Sequence, residues 1–88
     1  MPSYCYFKGE IIPLENAKIS VMTHALHYGT GLFEGIRGNW NAAHGQVYIF
    51  RLQEHMERMK NGCKVLKLDI PHTAEELGRI TVEVTKKS

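Results

Sequence analysis

Eighty-eight residues support one domain, and with 43% of them apolar and 23% charged they exclude a disordered chain. A net charge of +2 is too weak for a nucleic-acid binder or a membrane-surface protein. Cys5 and Cys63 stand far apart, a pattern that fits reduced thiols better than a disulfide framework. Met1-Pro2-Ser3-Tyr4 reads as no signal peptide, since no basic region followed by an apolar run is present. No stretch approaches the roughly 18 apolar residues that span a bilayer. The reading is a soluble, cytoplasmic protein.

In chain order, Tyr4-Cys5-Tyr6-Phe7 is aromatic-rich and predicts a strand. Lys8-Gly9-Glu10 is a turn signal, and Ile11-Ile12-Pro13 a second short strand closed by the proline. Leu14 to Met22 is a connector. His24-Ala25-Leu26-His27-Tyr28 predicts one helical turn capped by Thr23. Gly29-Thr30-Gly31 marks tight backbone. Leu32-Phe33-Glu34-Gly35-Ile36-Arg37 alternates as a half-buried strand does, Asn39 to Gly45 reads as a hairpin loop, and Val47-Tyr48-Ile49-Phe50 as a strand.

From Leu52 the period changes. Leu52, Met56, Met59 and Cys63 share one face of a helix that ends near Gly62. Leu66, Leu68 and Ile70-Pro71 form an extended exit. Thr73-Ala74-Glu75-Glu76 is a capping box, and Leu77, Ile80 and Val84 give a second helix its apolar face. Lys86 and Lys87 suit the negative end of that helix's dipole. Strands followed by helices define an α+β class. Because nothing after the last helix returns to the sheet, residues 1–88 are read as a single small domain of a longer two-domain chain.

The block His24-Ala25-Leu26-His27-Tyr28-Gly29-Thr30-Gly31-Leu32-Phe33-Glu34-Gly35-Ile36-Arg37 resembles the corresponding block of the branched-chain amino-acid aminotransferases, fold-type IV pyridoxal-phosphate enzymes. Phe50-Arg51-Leu52-Gln53-Glu54-His55-Met56-Glu57-Arg58-Met59 and Phe7-Lys8-Gly9-Glu10 agree in order and spacing, so the resemblance covers nearly the whole chain. It implies the small N-terminal domain of the fold-type IV, D-amino-acid-aminotransferase-like fold. It also implies transfer of an amino group between leucine, isoleucine or valine and 2-oxoglutarate, with pyridoxal phosphate as electron sink. The lysine that bonds to the cofactor in that family lies beyond position 88, and no lysine here matches it, so this chain alone is expected to be inactive. The rivals are a D-amino-acid aminotransferase, an aminodeoxychorismate lyase, or a stand-alone assembly module without catalysis. The His-Ala-Leu-His-Tyr run argues against the first two.

By the same resemblance Arg58 contacts the cofactor phosphate, for which a guanidinium fork is suited. From spacing alone, Arg58 would simply pair with Glu54 one turn earlier. Tyr28 and Phe33 match substrate-pocket residues, the one offering a flat face and a hydroxyl, the other an apolar wall. Gly35 and Arg37 are second candidates: the glycine either allows close backbone approach or marks a bulge, and the arginine either holds a substrate carboxylate or is solvated or structural. The small-domain loop can serve a neighbouring subunit, which implies a homo-oligomer. His24 and His27 could share a helical face, but two ligands make a poor metal site, and hydrogen-bonded imidazoles near the turn are the better reading. No phosphate-loop pattern surrounds Gly29-Thr30-Gly31. Cys63 reads as a core residue, and Trp40 as a contact at a domain or subunit boundary.

Overall fold

The computed structural model describes residues 3–88; Met1 and Pro2, where the reading against a signal peptide begins, lie outside the described residues. Strand β1 (Tyr4–Phe7) pairs antiparallel with β2 (Glu10–Pro13). Phe7 faces Glu10, so Lys8-Gly9 alone forms the loop, with φ of 50° and 88°. Both values lie in the left-handed region, the primed turn whose twist matches that of the strands, and glycine adopts it without strain. Leu14 N–H donates to the Ser3 carbonyl at 2.9 Å and lengthens the ribbon before a single 3-10 turn, Leu14–Asn16.

Helix α1 (His24–Tyr28) is one turn and a half, closed by Gly29 at φ 66°. Thr23 occupies the N-cap position, but its side chain does not cap. Its Oγ1 donates instead to the Ser20 carbonyl at 2.6 Å, a tight local bond within the connector.

The second hairpin corrects two expectations. Strand β3 is Gly38–Asn41, paired with β4 (Gln46–Ile49), so Asn39 to Asn41 belong to a strand and only residues 42–45 form the loop. Leu32 to Arg37 is not a strand, and it meets the hairpin through the Arg37 carbonyl, which accepts from Phe50 N–H at 2.9 Å. Its alternation is nevertheless present: Leu32, Glu34 and Ile36 are partly buried, while Phe33, Gly35 and Arg37 are exposed. An extended segment with one covered side alternates whether a strand or a helix covers it, and here the cover is helical.

That helix is α2 (Leu52–Leu66), followed by α3 (Ala74–Lys87). Met56 and Cys63 are buried, and Leu52 and Met59 partly so, which is the face the spacing predicts. Gly78 of α3 is buried against α2: a Cβ there would meet Leu52 Cδ2 at 3.8 Å. The capping box of α3 is complete, with Glu76 N–H donating to Thr73 Oγ1 and Thr73 N–H to Glu76 Oε1, each at 3.1 Å. On its other side α3 packs against β1. The Tyr4 end of the strand lies by the helix C-terminus, where Lys87 Nζ sits 5.4 Å from the Tyr4 ring. The Tyr6 end lies by His72.

The radius of gyration is 14.5 Å, against about 12 Å for a compact chain of this length, so the core is thin and much apolar surface stays open. Among the described residues no helix is long and apolar enough to cross a membrane.

One contact fixes how the 32–37 segment lies on α2. A Cβ at Gly62 would come within 3.3 Å of Leu32 Cδ2, so the bare glycine seats the leucine. Two residues further along the segment, Glu34 reaches His55 and Arg58. Residues 55, 58 and 62 lie on one helix face, and the segment runs along it against the helix direction.

Candidate functional site

The inward side of the 32–37 segment carries one charged residue between two apolar ones. A carboxylate on such a side needs partners, because burying it unpaired is costly. Glu34, with its side chain only 9% exposed, finds them on α2. Its Oε1 accepts from His55 Nδ1 at 2.7 Å and from Arg58 Nη2 at 2.8 Å, and Arg58 Nε donates to Oε2 at 2.9 Å. The Arg58 fork first, and the His55 hydrogen bond second, hold the Glu34 carboxyl down from 4.5 to about 2. Glu34 in turn raises the Arg58 guanidinium above its ordinary value. An ionised carboxylate only accepts, so His55 must carry its proton on Nδ1.

This pairing corrects the local expectation for Arg58. Its partner is Glu34, 24 residues away, and not Glu54 one turn before it. Glu54 lies instead 4.0 Å from Arg51, both well exposed. Nothing within α2 could have shown this. A signal was available in the 32–37 alternation, which sets Glu34 on the same side as Leu32 and Ile36; neither Glu34 nor His55 carried a role in the sequence reading.

Arg58 uses Nε and Nη2 on Glu34, which is one side of its planar fork. The Nη1–Nη2 edge is left, with two parallel N–H groups, and the side chain is 69% exposed. Arg51, Glu54, His55 and Arg58 line an open depression of about 190 Å³. A larger groove of about 320 Å³, between the first hairpin and α3, is lined by Tyr6, Ile11, His72, Arg79 and Ile80 among others and contains none of the motif residues.

The other candidates separate into two groups. Phe33, Gly35 and Arg37 share the outward side of the segment, and Phe33 is 91% exposed. A Cβ on Gly35 would meet nothing within 4 Å, so its backbone is open to approach. Tyr28, 73% exposed, sits on α1 with its ring 4.4 Å from that of His24. His24 Nδ1 is 2.7 Å from Thr30 Oγ1, and His27 Nε2 donates to the Val21 carbonyl at 2.6 Å. Both imidazoles are thus hydrogen-bonded around the turn and hold α1 to the residues flanking it. Among the described residues no group of three His, Cys, Asp or Glu side chains is placed to hold a metal ion.

Residues 31–88 match the model of the amino-transferase class IV family. A probable branched-chain-amino-acid aminotransferase of Aquifex aeolicus (strain VF5) is 46% identical over 85 residues, which is 97% of this chain and 27% of that protein. Among solved structures, the branched-chain aminotransferase of Thermoproteus uzoniensis with norvaline superposes with a TM-score of 0.82 at 45% identity, covering 89% of this chain and 26% of that one. The branched-chain amino acid aminotransferase of Thermobaculum terrenum, in its PLP form, superposes with a TM-score of 0.86 at 32% identity, covering 98% of this chain and 28% of that one. The chain belongs to the amino-transferase class IV family. It spans about a quarter of the length of the relatives it matches.

Proposed function

We propose that this chain is the N-terminal small domain of a longer two-domain branched-chain amino-acid aminotransferase. That enzyme moves an amino group between leucine, isoleucine or valine and 2-oxoglutarate, with pyridoxal phosphate as cofactor. The observation that carries the reading is the exposed edge of Arg58, set by Glu34 inside a segment that matches the relatives almost end to end. A phosphate needs a cation with parallel donors, and that edge offers them, so the residues present fit the cofactor. The PLP form of the Thermobaculum protein, and the norvaline with the Thermoproteus protein, support both cofactor and substrate class.

Once bound, the cofactor withdraws electrons from the amino acid's Cα so that a proton can leave it. This chain's share is binding and shaping. Arg58 grips the phosphate. Phe33 and Tyr28 give an aliphatic side chain apolar walls, and their exclusion of water strengthens every polar contact beside them. Gly35 lets the substrate approach the backbone, and Arg37 offers a cation to a carboxylate. Proton transfer belongs to a lysine in the rest of the protein. The exposed aromatics Tyr28, Phe33 and Trp40 (the last 66% exposed) are then covered by that remainder or by a second subunit of a homo-oligomer. Two free cysteines suit a cytoplasmic home.

The test is substrate profiling of the complete protein with pyridoxal phosphate. Leucine, isoleucine and valine should each convert 2-oxoglutarate to glutamate. Turnover of D-alanine in preference to leucine, or lyase chemistry without amino transfer, would replace this reading with one of its fold-type IV rivals.

A further inference from the structure

Arginine side chains are long, and ordering one on binding costs part of the affinity it supplies. Arg58 is exposed, yet its guanidinium is fixed by two donors on a carboxylate that is itself nearly covered. The covered carboxylate is fixed in turn. The backbone on which it stands is seated by Leu32 at Gly62, and His55 holds the oxygen that also takes Arg58 Nη2. The chain of supports runs from the packed segment to Glu34, and from there to Arg58.

We infer that Glu34, steadied by His55, is a positioning residue that holds Arg58 from the side and so presents its Nη1–Nη2 edge, already ordered, to the phosphate of the cofactor. The inference rests on the proposed role of Arg58 and deepens it. It also makes a prediction opposite in sign to simple charge counting. Glu34 is an anion close to where a phosphate would bind. Removing its charge should tighten phosphate binding if charge alone matters, and should weaken it if Glu34 works by ordering Arg58.

The experiment uses the complete protein and measures equilibrium affinity for pyridoxal phosphate and for pyridoxal, which lacks the phosphate. Glu34→Gln should weaken pyridoxal phosphate about three- to tenfold and leave pyridoxal unchanged. Glu34→Asp keeps the charge but shortens the reach by one methylene, and should weaken the same ligand by a smaller factor. It serves as the second variant if Glu34→Gln does not fold. In an Arg58→Ala background, Glu34→Gln should have no further effect on the ratio of the two affinities. Equal weakening of both ligands, or an unchanged or tighter affinity for pyridoxal phosphate, would overturn the inference. Arg58→Ala separates the two claims. If it leaves the ratio intact, the phosphate role of Arg58 fails. If it collapses the ratio while Glu34→Gln does not, only the positioning role fails.

Discussion

The α2–α3 pair and the stretch from Val21 to Arg37 are held together by different means. The helices carry the buried residues Met56, Cys63 and Gly78, and the second begins with a complete capping box. The stretch buries no side chain fully and, apart from α1, has no regular structure. Discrete attachments hold it: His27 to the Val21 carbonyl, Leu32 at Gly62, and Glu34 to His55 and Arg58. Between them it leaves Tyr28, Phe33, Gly35 and Arg37 facing outward. Cooperative packing makes a platform, and a few attachments let an irregular segment present functional groups without burying them.

The contrast is sharpest under mutation. The largest expected effect is on the platform. Met56→Ala should cost about 2–5 kcal/mol of small-domain stability, read by urea denaturation, because it leaves a cavity at a buried core side chain. A loss under about 1 kcal/mol would mean the helices are not the platform. Next comes the site. Arg58→Ala should weaken cofactor affinity about ten- to a hundredfold, and Arg58→Lys should recover only part, since an ammonium cannot form a fork. An unchanged affinity together with a sharply lowered melting temperature would make Arg58 structural. Thr73→Ala removes the side-chain cap of α3 and should cost about 1 kcal/mol with no change in cofactor affinity.

The smallest effect is the pH dependence of the attachment. The Glu34 carboxyl titrates lower in the folded chain than in the unfolded one, so its contribution is present above pH 4.5 and is lost as pH falls toward about 2. Glu76, held down mainly by the Thr73 N–H and then by its hydroxyl, adds in the same direction. The urea midpoint should therefore decline as the pH is taken below 4.5, and Glu34→Gln should flatten that decline. A variant that keeps the full slope would show that Glu34 is not the group responsible.

The platform was the more legible of the two regions. Period, turn chemistry and capping act over a few residues, so the first hairpin, the α2 face and the α3 cap could be read from neighbouring positions. The presenting stretch could not. Alternation over Leu32–Arg37 predicts an extended segment with one covered side, but it does not say whether strand or helix provides the cover. That ambiguity placed a strand there and left Asn39–Asn41 in a loop. Arg58 shows the same limit at the site. Spacing offers Glu54 as a partner because helical neighbours are visible in sequence, whereas Glu34 is brought by the fold. The family resemblance singled out the arginine, while the residue that orients it came into view only in three dimensions.

Gly62 carries a consequence for engineering. An interior helical glycine is an inviting target for thermostabilisation, since alanine has a higher helix propensity by about 1 kcal/mol. Here the added methyl would stand 3.3 Å from Leu32 Cδ2, so the leucine must give way by a few tenths of an ångström two residues before Glu34. If the leucine turns aside, Gly62→Ala gains the helix propensity alone; if it cannot, the strain passes to the Glu34 backbone, and robustness trades against performance at a residue with no chemistry of its own.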